Sequence, residues 1–176
     1  IVGQLGNHAK FIGAKVKADK ENWVAANLDV GEYCIYVKIP WIDGKTRSAV
    51  LASYGPAAAP MALSASVTSK IFLEAVYIAK ARTSGKVKDY SQYGKAGVSR
   101  VIEFFADEGY GFMYFKNSSS SVFDDEITMT QMGGLKPKKP FKGNLYKLKV
   151  EPQSEAIILF AVSPQGYSVA YSEKFH

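Results

Sequence analysis

Residues 98–115 read VSRVIEFFADEGYGFMYF and carry the strongest strand signal in the sequence. Both halves, 98–105 and 110–115, are rich in β-branched and aromatic residues, which suit the pleated surface of a β-sheet. Asp107-Glu108-Gly109 lies between them, and short glycine-containing runs commonly join neighbouring strands. This stretch therefore predicts two antiparallel strands joined by a short turn.

Similar segments, separated by turn residues, recur along the chain. The other predicted strands are Tyr33–Ile39, Arg47–Tyr54, Met61–Val67, Glu126–Gln131, Leu145–Val150, Ala156–Val162 and Tyr167–Tyr171, with weaker candidates at Phe11–Val16 and Trp23–Leu28. Asp43-Gly44 is predicted to be a hairpin turn, and Pro164-Gln165-Gly166 the last hairpin loop. Strands of this length at short spacing predict an all-β fold, an antiparallel β-sandwich of about eight strands with one short helix and long loops.

One segment predicts the helix, and three predict the loops. Apolar residues recur at helical spacing in Ser69–Ala81, with Ser69 as a possible N-cap. The predicted loops are Arg82–Gly97, Asn117–Ser121 and Leu135–Asn144. We expect the first to be mobile or an internal boundary, the second to be flexible, and the third to be kept out of any strand ladder by its prolines.

Length and composition are those of one globular domain. The chain has 176 residues, of which 47% are hydrophobic and 13% aromatic, and domains usually span roughly 100–200 residues. We predict a single domain over residues 1–176. The start IVGQLGNHAK has neither an initiator Met nor a signal peptide, which indicates a fragment of a larger protein or a processed product. No apolar run approaches the ~20 residues of a membrane span, and the single Cys34 suits a cytoplasmic location.

Candidate catalytic groups are few. Cys34 could be a nucleophile if a histidine activated it, but it lies within a predicted strand, where a thiolate is not stabilised. His8 and His176 lie near the chain ends, where fraying is expected. Gly109-Tyr110-Gly111 and Gly133-Gly134 lack the Lys-Ser or Lys-Thr of a phosphate loop. The sequence therefore predicts a domain that is not an enzyme and holds no cofactor.

The segment LKPKKPFKGN, residues 135–144, is the most distinctive charged feature. Its lysines are Lys136, Lys138, Lys139 and Lys142. A stiff cationic segment can contact an acidic protein surface or acidic lipid headgroups; the simpler alternative is a solvated loop that protects a sheet edge. The net charge of +6 favours an anionic partner or, equally, serves solubility. Nucleic acid is not expected, because the aromatic residues lie at alternating strand positions, where burial explains them.

Four short motifs, spaced along most of the chain, carry a family resemblance. They are GEYCIYVKIPW at 31–41, VLASYGP at 50–56, GYGFMYFKN at 109–117, and VEP at 150–152 ahead of IILF at 157–160. Together they resemble the C2-like β-sandwich that follows the protease core in calpains, in the divergent form found in calpain-like cysteine protease family proteins of protists. The resemblance implies a regulatory or adhesive role, and in many protist members a link to the cytoskeleton or cilia. It favours a non-catalytic docking domain that contacts a protein partner or other domains of the same chain.

The contact candidates for such docking are the basic segment, Trp41 and the turn Tyr54-Gly55-Pro56. The resemblance also implies contacts with calcium and membranes through a long acidic loop, but the longest acidic run here is Asp124-Asp125-Glu126. A weak calcium site is the alternative, provided that two acidic pairs meet at one end of the sandwich. These pairs are Asp107 with Glu108 and Asp124 with Asp125. The alternative function is therefore a calcium-dependent phospholipid-binding module that regulates a protease core in cis.

Overall fold

The centre of the fold is a five-stranded antiparallel sheet. The computed structural model describes residues 1–5, 8–17, 21–39, 48–56, 59–63 and 68–176. Within these ranges the chain forms one α-helix, α1 (Ser69–Arg82), and eleven strands. The strands are β1 (Val2–Gln4), β2 (Lys10–Gly13), β3 (Cys34–Ile35), β4 (Lys88–Asp89), β5 (Val98–Phe105), β6 (Tyr110–Asn117), β7 (Phe123–Gly133), β8 (Leu135–Pro137), β9 (Leu145–Val150), β10 (Ser154–Val162) and β11 (Ser168–Phe175). The central sheet has the order β4-β5-β6-β10-β8.

The hairpin of β5 and β6 confirms the prediction made from residues 98–115. Val98 pairs with Asn117, and Phe105 pairs with Tyr110. Gly109 closes the turn at φ 74°, a conformation in which most side chains are strained. Every residue of β6 except one is buried. Because both faces of this strand are covered, its sequence is a continuous apolar run rather than an alternating one.

A second sheet, in the order β11-β7-β9, packs on one face of the central sheet. The buried side chains between the two sheets form the main core: Tyr90, Val98, Met113, Phe115, Phe123, Ile127, Met129, Leu135, Leu148, Val150, Ile158, Phe160 and Val162. Two antiparallel sheets that share an apolar core make a β-sandwich. The predicted all-β fold is therefore confirmed, and the two sheets together contain eight strands. The predicted strands of the second half correspond to β5, β6, β7, β9, β10 and β11.

The other face of the central sheet carries a layer that the sequence did not predict. It consists of α1 and a small sheet in the order β2-β1-β3. Phe72, Val76 and Tyr77 of the helix are buried against this face, in a second core. A Cβ on Gly3 of β1 would lie 2.5 Å from Cγ1 of Val76, so the absence of a side chain lets this strand approach the helix.

The helix confirms the prediction over Ser69–Ala81 and continues one residue further, to Arg82. Its N-cap is Thr68, whose Oγ1 accepts a hydrogen bond from the Ile71 N–H at 3.3 Å. The assignment of the cap to Ser69 was wrong by one residue. Within the described ranges, no helix has the length and apolarity needed to cross a bilayer.

The segment Arg82–Gly97 is not a mobile loop or an internal boundary. It contains β4 and a 3₁₀ turn at Ser91–Tyr93, and Tyr90 between them is buried in the main core. Tyr90, the pairing of β4 with β5 and the contact of the Tyr93 ring with Phe175 therefore hold this polar segment against the sandwich.

Two further expectations about connections are wrong. Leu135–Asn144 contains β8, in which Pro137 pairs with Phe160. A proline is tolerated there because β8 is the edge strand of the central sheet. Pro164-Gln165-Gly166 does not form a hairpin loop, because the strands that it joins, β10 and β11, belong to different sheets.

A hydrogen-bond network holds the loop Asn117–Ser121, which the sequence predicted to be flexible. Asn117 is buried, and its Nδ2 donates to the carbonyl oxygens of Ser121 at 2.8 Å and of Val150 at 3.0 Å. Its Oδ1 accepts from the Ser119 N–H at 3.0 Å. The side chain thereby ties the end of β6 to the end of β9.

Most strands predicted in the first third of the chain are absent from its described part. Tyr33–Ile39 contains only the short β3, Phe11–Val16 overlaps β2, and residues 23–28, 48–54 and 61–63 form no strand. Arg47, Asp43-Gly44 and 64–67 lie outside the described residues. Val50 is 92% exposed. Strand propensity requires neighbouring strands to pack on, and among the described residues no strand pairs with residues 23–28, 48–54 or 61–63.

Candidate functional site

The four lysines of the basic segment do not form one cluster. Lys136 and Lys138 are exposed on β8 and just after it. The Lys139 Nζ lies 3.4 Å from Oε1 of Glu74 on α1. Lys142 is exposed in the turn that precedes β9. Of the four lysines, Lys139 contacts the helix, and the Lys138 Nζ lies 5.1 Å from the centre of the Tyr110 ring.

Lys139 lines a groove between α1, β9 and β10, which we call the edge groove. Its volume is about 410 Å³. The lining residues are Glu74, Ile78, Lys139, Tyr146, Lys147, Leu148, Lys149, Glu155, Ala156 and Ile157. Buried aliphatic side chains, Leu148 and Ile157, form part of its floor, and charged side chains form its rim.

One wall of the edge groove is an edge of β10. β8 pairs with β10 only at Phe160–Val162, and the Lys138 N–H donates to the Leu159 oxygen at 2.8 Å. The N–H and C=O groups of successive residues in a strand point to alternate sides. The backbone groups of Glu155 and Ile157 therefore point to the same side as those of Leu159, the side on which β8 lies. Among the described residues, no strand pairs with this part of β10 on that side.

The opposite wall is the outer edge of β9, the last strand of its sheet. The Met129 N–H donates to the Asn144 oxygen at 2.8 Å, and this register directs the backbone groups of Tyr146 and Leu148 towards β7. Lys147 and Lys149 therefore direct their N–H and C=O groups away from β7. In the described part of the chain, two strand edges without a pairing strand thus line one groove.

Charged side chains flank the edge groove, but those of Lys147 and Lys149 alternate with the core-facing Leu148 and Val150 and so project from the outer face of the second sheet. The side chains of Lys139, Lys147 and Lys149 are 43%, 75% and 61% exposed, whereas those of Glu74 and Glu155 are 29% and 21% exposed. Each lysine has a carboxylate within 2.9 to 3.4 Å. Exposed ion pairs contribute little to stability, so a carboxylate of a partner can replace them at little cost.

The acidic pairs considered for calcium lie at opposite ends of the sandwich. Asp107 and Glu108 are in the turn before β6, whereas Asp124 and Asp125 are at the start of β7, beyond the far end of β6. β6 has eight residues, which places the pairs ~20 Å or more apart at roughly 3.3 Å per residue. No group of three His, Cys, Asp or Glu side chains in the described ranges could hold a metal ion. These four residues therefore do not form one calcium site.

Two of these acidic residues, Glu108 and Asp125, take part in the packing of the domain instead. Glu108 forms an ion pair with Lys80 of α1. Asp125 is 1% exposed and lies inside the sandwich. Burial, and then the negative charge of Glu173, raise the pKa of Asp125 to about 7. Among the described residues, no donor reaches either Asp125 oxygen with good hydrogen-bond geometry.

The candidate nucleophile and the two histidines lie apart. Cys34 is half-buried in β3 opposite Gly3 and packs against the second core. His8 is exposed, and the His176 Nε2 is 3.7 Å from Oε2 of Glu126. Within the described ranges, no hydrogen bond or ion pair joins Cys34 to either histidine.

The remaining contact candidates belong to the N-terminal part of the chain. Trp41 lies outside the described residues. Tyr54-Gly55-Pro56 is exposed, and the Tyr54 ring lies 5.7 Å from the Trp23 ring, centre to centre. The structure therefore does not bring Tyr54 to the edge groove lining.

Sequence reasoning missed most of the edge groove. It predicted β9 and β10 but not their place at one open side of the sandwich, which depends on strand order. The alternation of Leu145, Lys147 and Lys149 with inward residues was an available signal, because lysines on a strand are typical of sheet edges.

Comparison of the chain with known proteins identifies no family: no family model matches it, and no curated protein or solved structure matches it.

Proposed function

We propose that this chain is a non-catalytic docking domain that binds a protein partner in the edge groove. The observation that carries the proposal is that two strand edges without a pairing strand line the same groove. Such edges offer backbone donors and acceptors to another chain. Lys139 at the rim, with Glu74 beside it, adds a polar contact for the partner.

Exposed apolar side chains elsewhere support a role in binding. Trp23, Val50, Tyr54 and Leu63 are 64%, 92%, 79% and 103% exposed. All belong to residues 23–63, of which, among the described ones, only Cys34 and Tyr36 pack against a core. Large apolar groups concentrated in this way are typical of interaction surfaces.

The calpain resemblance extends this proposal to a regulatory role inside a larger calpain-like protein, with a cytoskeletal or ciliary assembly as its setting. This extension rests on the sequence motifs alone. The extension predicts a longer polypeptide, and the sequence of that polypeptide upstream of this domain tests it. A Cys, His and Asn catalytic set there would place a protease core beside the domain, and a different neighbouring domain would remove the protease from the proposal.

Charge-reversed variants test the docking role. Lys147→Glu with Lys149→Glu reverses two charges at the edge groove. Lys88→Glu with Lys174→Glu makes the same change on β4 and β11, at the opposite edges of the two sheets, and is the matched control. We expect a protein captured by the wild type to bind the control equally and the groove variant at least ~10-fold more weakly, or about 1.4 kcal/mol.

Titration of the purified captured protein, with circular dichroism to verify the fold of each variant, gives these affinities. Lys138→Glu with Lys139→Glu is expected to weaken the same complex, since Lys139 lines the groove. Equal affinity for the groove variant and the control would remove the edge groove from the proposal.

A further inference from the structure

We propose that residues 171–176, the second part of β11 with the residue after it, form a latch that opens when the buried carboxyl group of Asp125 loses its proton. The latch begins at the register shift between Ala170 and Tyr171, and such a shift interrupts a ladder and bends the strand. β11 is an edge strand and, among the described residues, pairs only with β7. Opening of the latch at this hinge therefore breaks a single ladder.

The latch contacts the sandwich around Asp125. Phe175 lies opposite Asp125 in the ladder, and its ring centre is 5.2 Å from that of Tyr90. Side chains two residues apart in a strand share a face, so Glu173 points to the same side as Phe175. There it forms the ion pair with Arg100. A change in the charge of Asp125 therefore acts directly on the groups that hold the latch.

Charge balance gives the direction of the switch. Asp125 is 1% exposed, and in the described part of the chain no donor reaches either of its oxygens with good hydrogen-bond geometry. β9 places an apolar residue beside it, and the charged and titratable groups that face it are Arg100, Glu173, Tyr171 and Tyr90. While Asp125 is protonated, Arg100 and Glu173 balance each other. After ionisation, two buried carboxylates share one guanidinium, which is costly. Opening relieves this cost, because it separates Glu173 from Asp125 and admits water.

The pH range of the switch follows from the two states. In the closed latch, burial and then the charge of Glu173 raise the pKa of Asp125 to about 7, whereas exposure returns it towards ~3.9. The closed state therefore holds more protons, so its contribution to stability is fully present below about pH 4 and is lost as the pH rises to about 7. We expect the equilibrium constant for opening to rise by up to ~10-fold per pH unit in this range and to level off above it.

Native-state amide hydrogen exchange of the full chain, between about pH 5 and pH 8, tests the latch. The His176 N–H donates to the Asp124 oxygen at 3.1 Å, and Lys174 directs its N–H to β7 in the same way, so both amides report opening. The Met113 amide of β6, a strand paired on both sides, reports global unfolding. After correction for the intrinsic exchange rate, we expect larger opening constants for the latch amides than for Met113, rising with pH up to about pH 7.

Three variants identify the group that titrates. Asp125→Asn removes the ionisation, so the opening constants should not vary with pH. Glu173→Gln leaves Arg100 to balance Asp125, so they should level off at a lower pH. His176→Asn removes an imidazole whose Nε2 lies 3.7 Å from Oε2 of Glu126, and should retain the wild-type dependence.

Three results would overturn the inference. The first is an opening constant of the wild-type latch that does not vary with pH. The second is the same variation in Asp125→Asn as in the wild type. The third is exchange of the latch amides only as fast as that of Met113, which would mean that the latch opens only when the whole domain unfolds.

Discussion

Arg100 of β5 and Glu173 of β11 form an ion pair that closes one side of the sandwich. The two side chains are only 9% and 11% exposed. Tyr90 donates to the same Glu173 oxygen at 2.5 Å, and the Arg100 guanidinium carbon lies 5.4 and 5.2 Å from the ring centres of Tyr90 and Tyr171. The side of the sandwich opposite this cluster, between β9 and β10, is the one that carries the edge groove.

Asp125, close to this pair, is expected to destabilise the domain at neutral pH. Its pKa in the folded protein is about 7, against ~3.9 in an unfolded chain. Since the folded state holds the proton more tightly, the contribution of Asp125 to stability is most favourable below about pH 4 and declines as the pH rises to about 7. Asp125→Asn should therefore raise the free energy of unfolding at pH 8, by up to ~4 kcal/mol, with little effect at pH 4. Urea unfolding between these pH values measures the difference.

The Arg100→Leu variant removes the cation that pairs with Glu173. Arg100 lowers the pKa of Asp125, so its loss leaves Asp125 and Glu173 together without a cation. Breaking a buried pair in this way costs ~3–5 kcal/mol, and we expect the larger loss at pH 8.

If the stability difference between Asp125→Asn and the wild type did not vary with pH, Asp125 would not titrate in this range.

Asn117→Ala should destabilise the domain by ~2–3 kcal/mol, because it leaves the buried Val150 oxygen without the donor that now lies at 3.0 Å. The exposed Ser120 in the same loop provides the control, and Ser120→Ala should change stability by less than ~0.5 kcal/mol. Thermal unfolding compares the two. A similar melting temperature for both variants would show that Asn117 does not hold the loop.

Gly134→Ala and Gly143→Ala separate backbone strain from crowding. The two glycines have nearly the same φ, 66° and 65°, so alanine carries a similar conformational cost of ~1–2 kcal/mol at each. A Cβ at Gly134 would overlap the Gly166 carbonyl oxygen, whereas a Cβ at Gly143 meets nothing within 4 Å. We expect Gly134→Ala to lower stability by a further ~1–3 kcal/mol, measured by urea unfolding. Equal losses of stability for the two variants would show that the Gly166 carbonyl oxygen does not crowd position 134, and that the β7–β8 and β10–β11 connections lie further apart.

The strands of the second half of the chain could be predicted because their local signals agree with their environment. β5 and β9 match the predicted bounds without change, since β-branched and aromatic residues there lie on surfaces that are covered. In the N-terminal part, the same signals predicted strands that the described residues do not form. Val50 and its neighbours have strand propensity, yet in the described ranges they find no strand to pair with.

Of the candidate site, sequence reasoning identified Lys139 but not the groove that it lines. Likewise, it grouped Asp107, Glu108, Asp124 and Asp125 by their proximity along the chain. The length of β6 places the two pairs at opposite ends of the sandwich, which no count of acidic residues reveals. Asp125 follows the alternation of β7 into the core, so its burial is a consequence of strand register.

The sequence by itself determined the β-sandwich, because residue propensity, alternation and turn chemistry act over a few residues at a time. It also determined where the ladder of β8 stops, since Pro140 lacks a backbone donor. Only the tertiary structure decided which strands became edges, which acidic residue was buried, and that α1 covers the second face of the central sheet. These features depend on contacts between residues distant in the chain, such as Arg100 with Glu173 and Lys139 with Glu74, and local pattern carries no information about them.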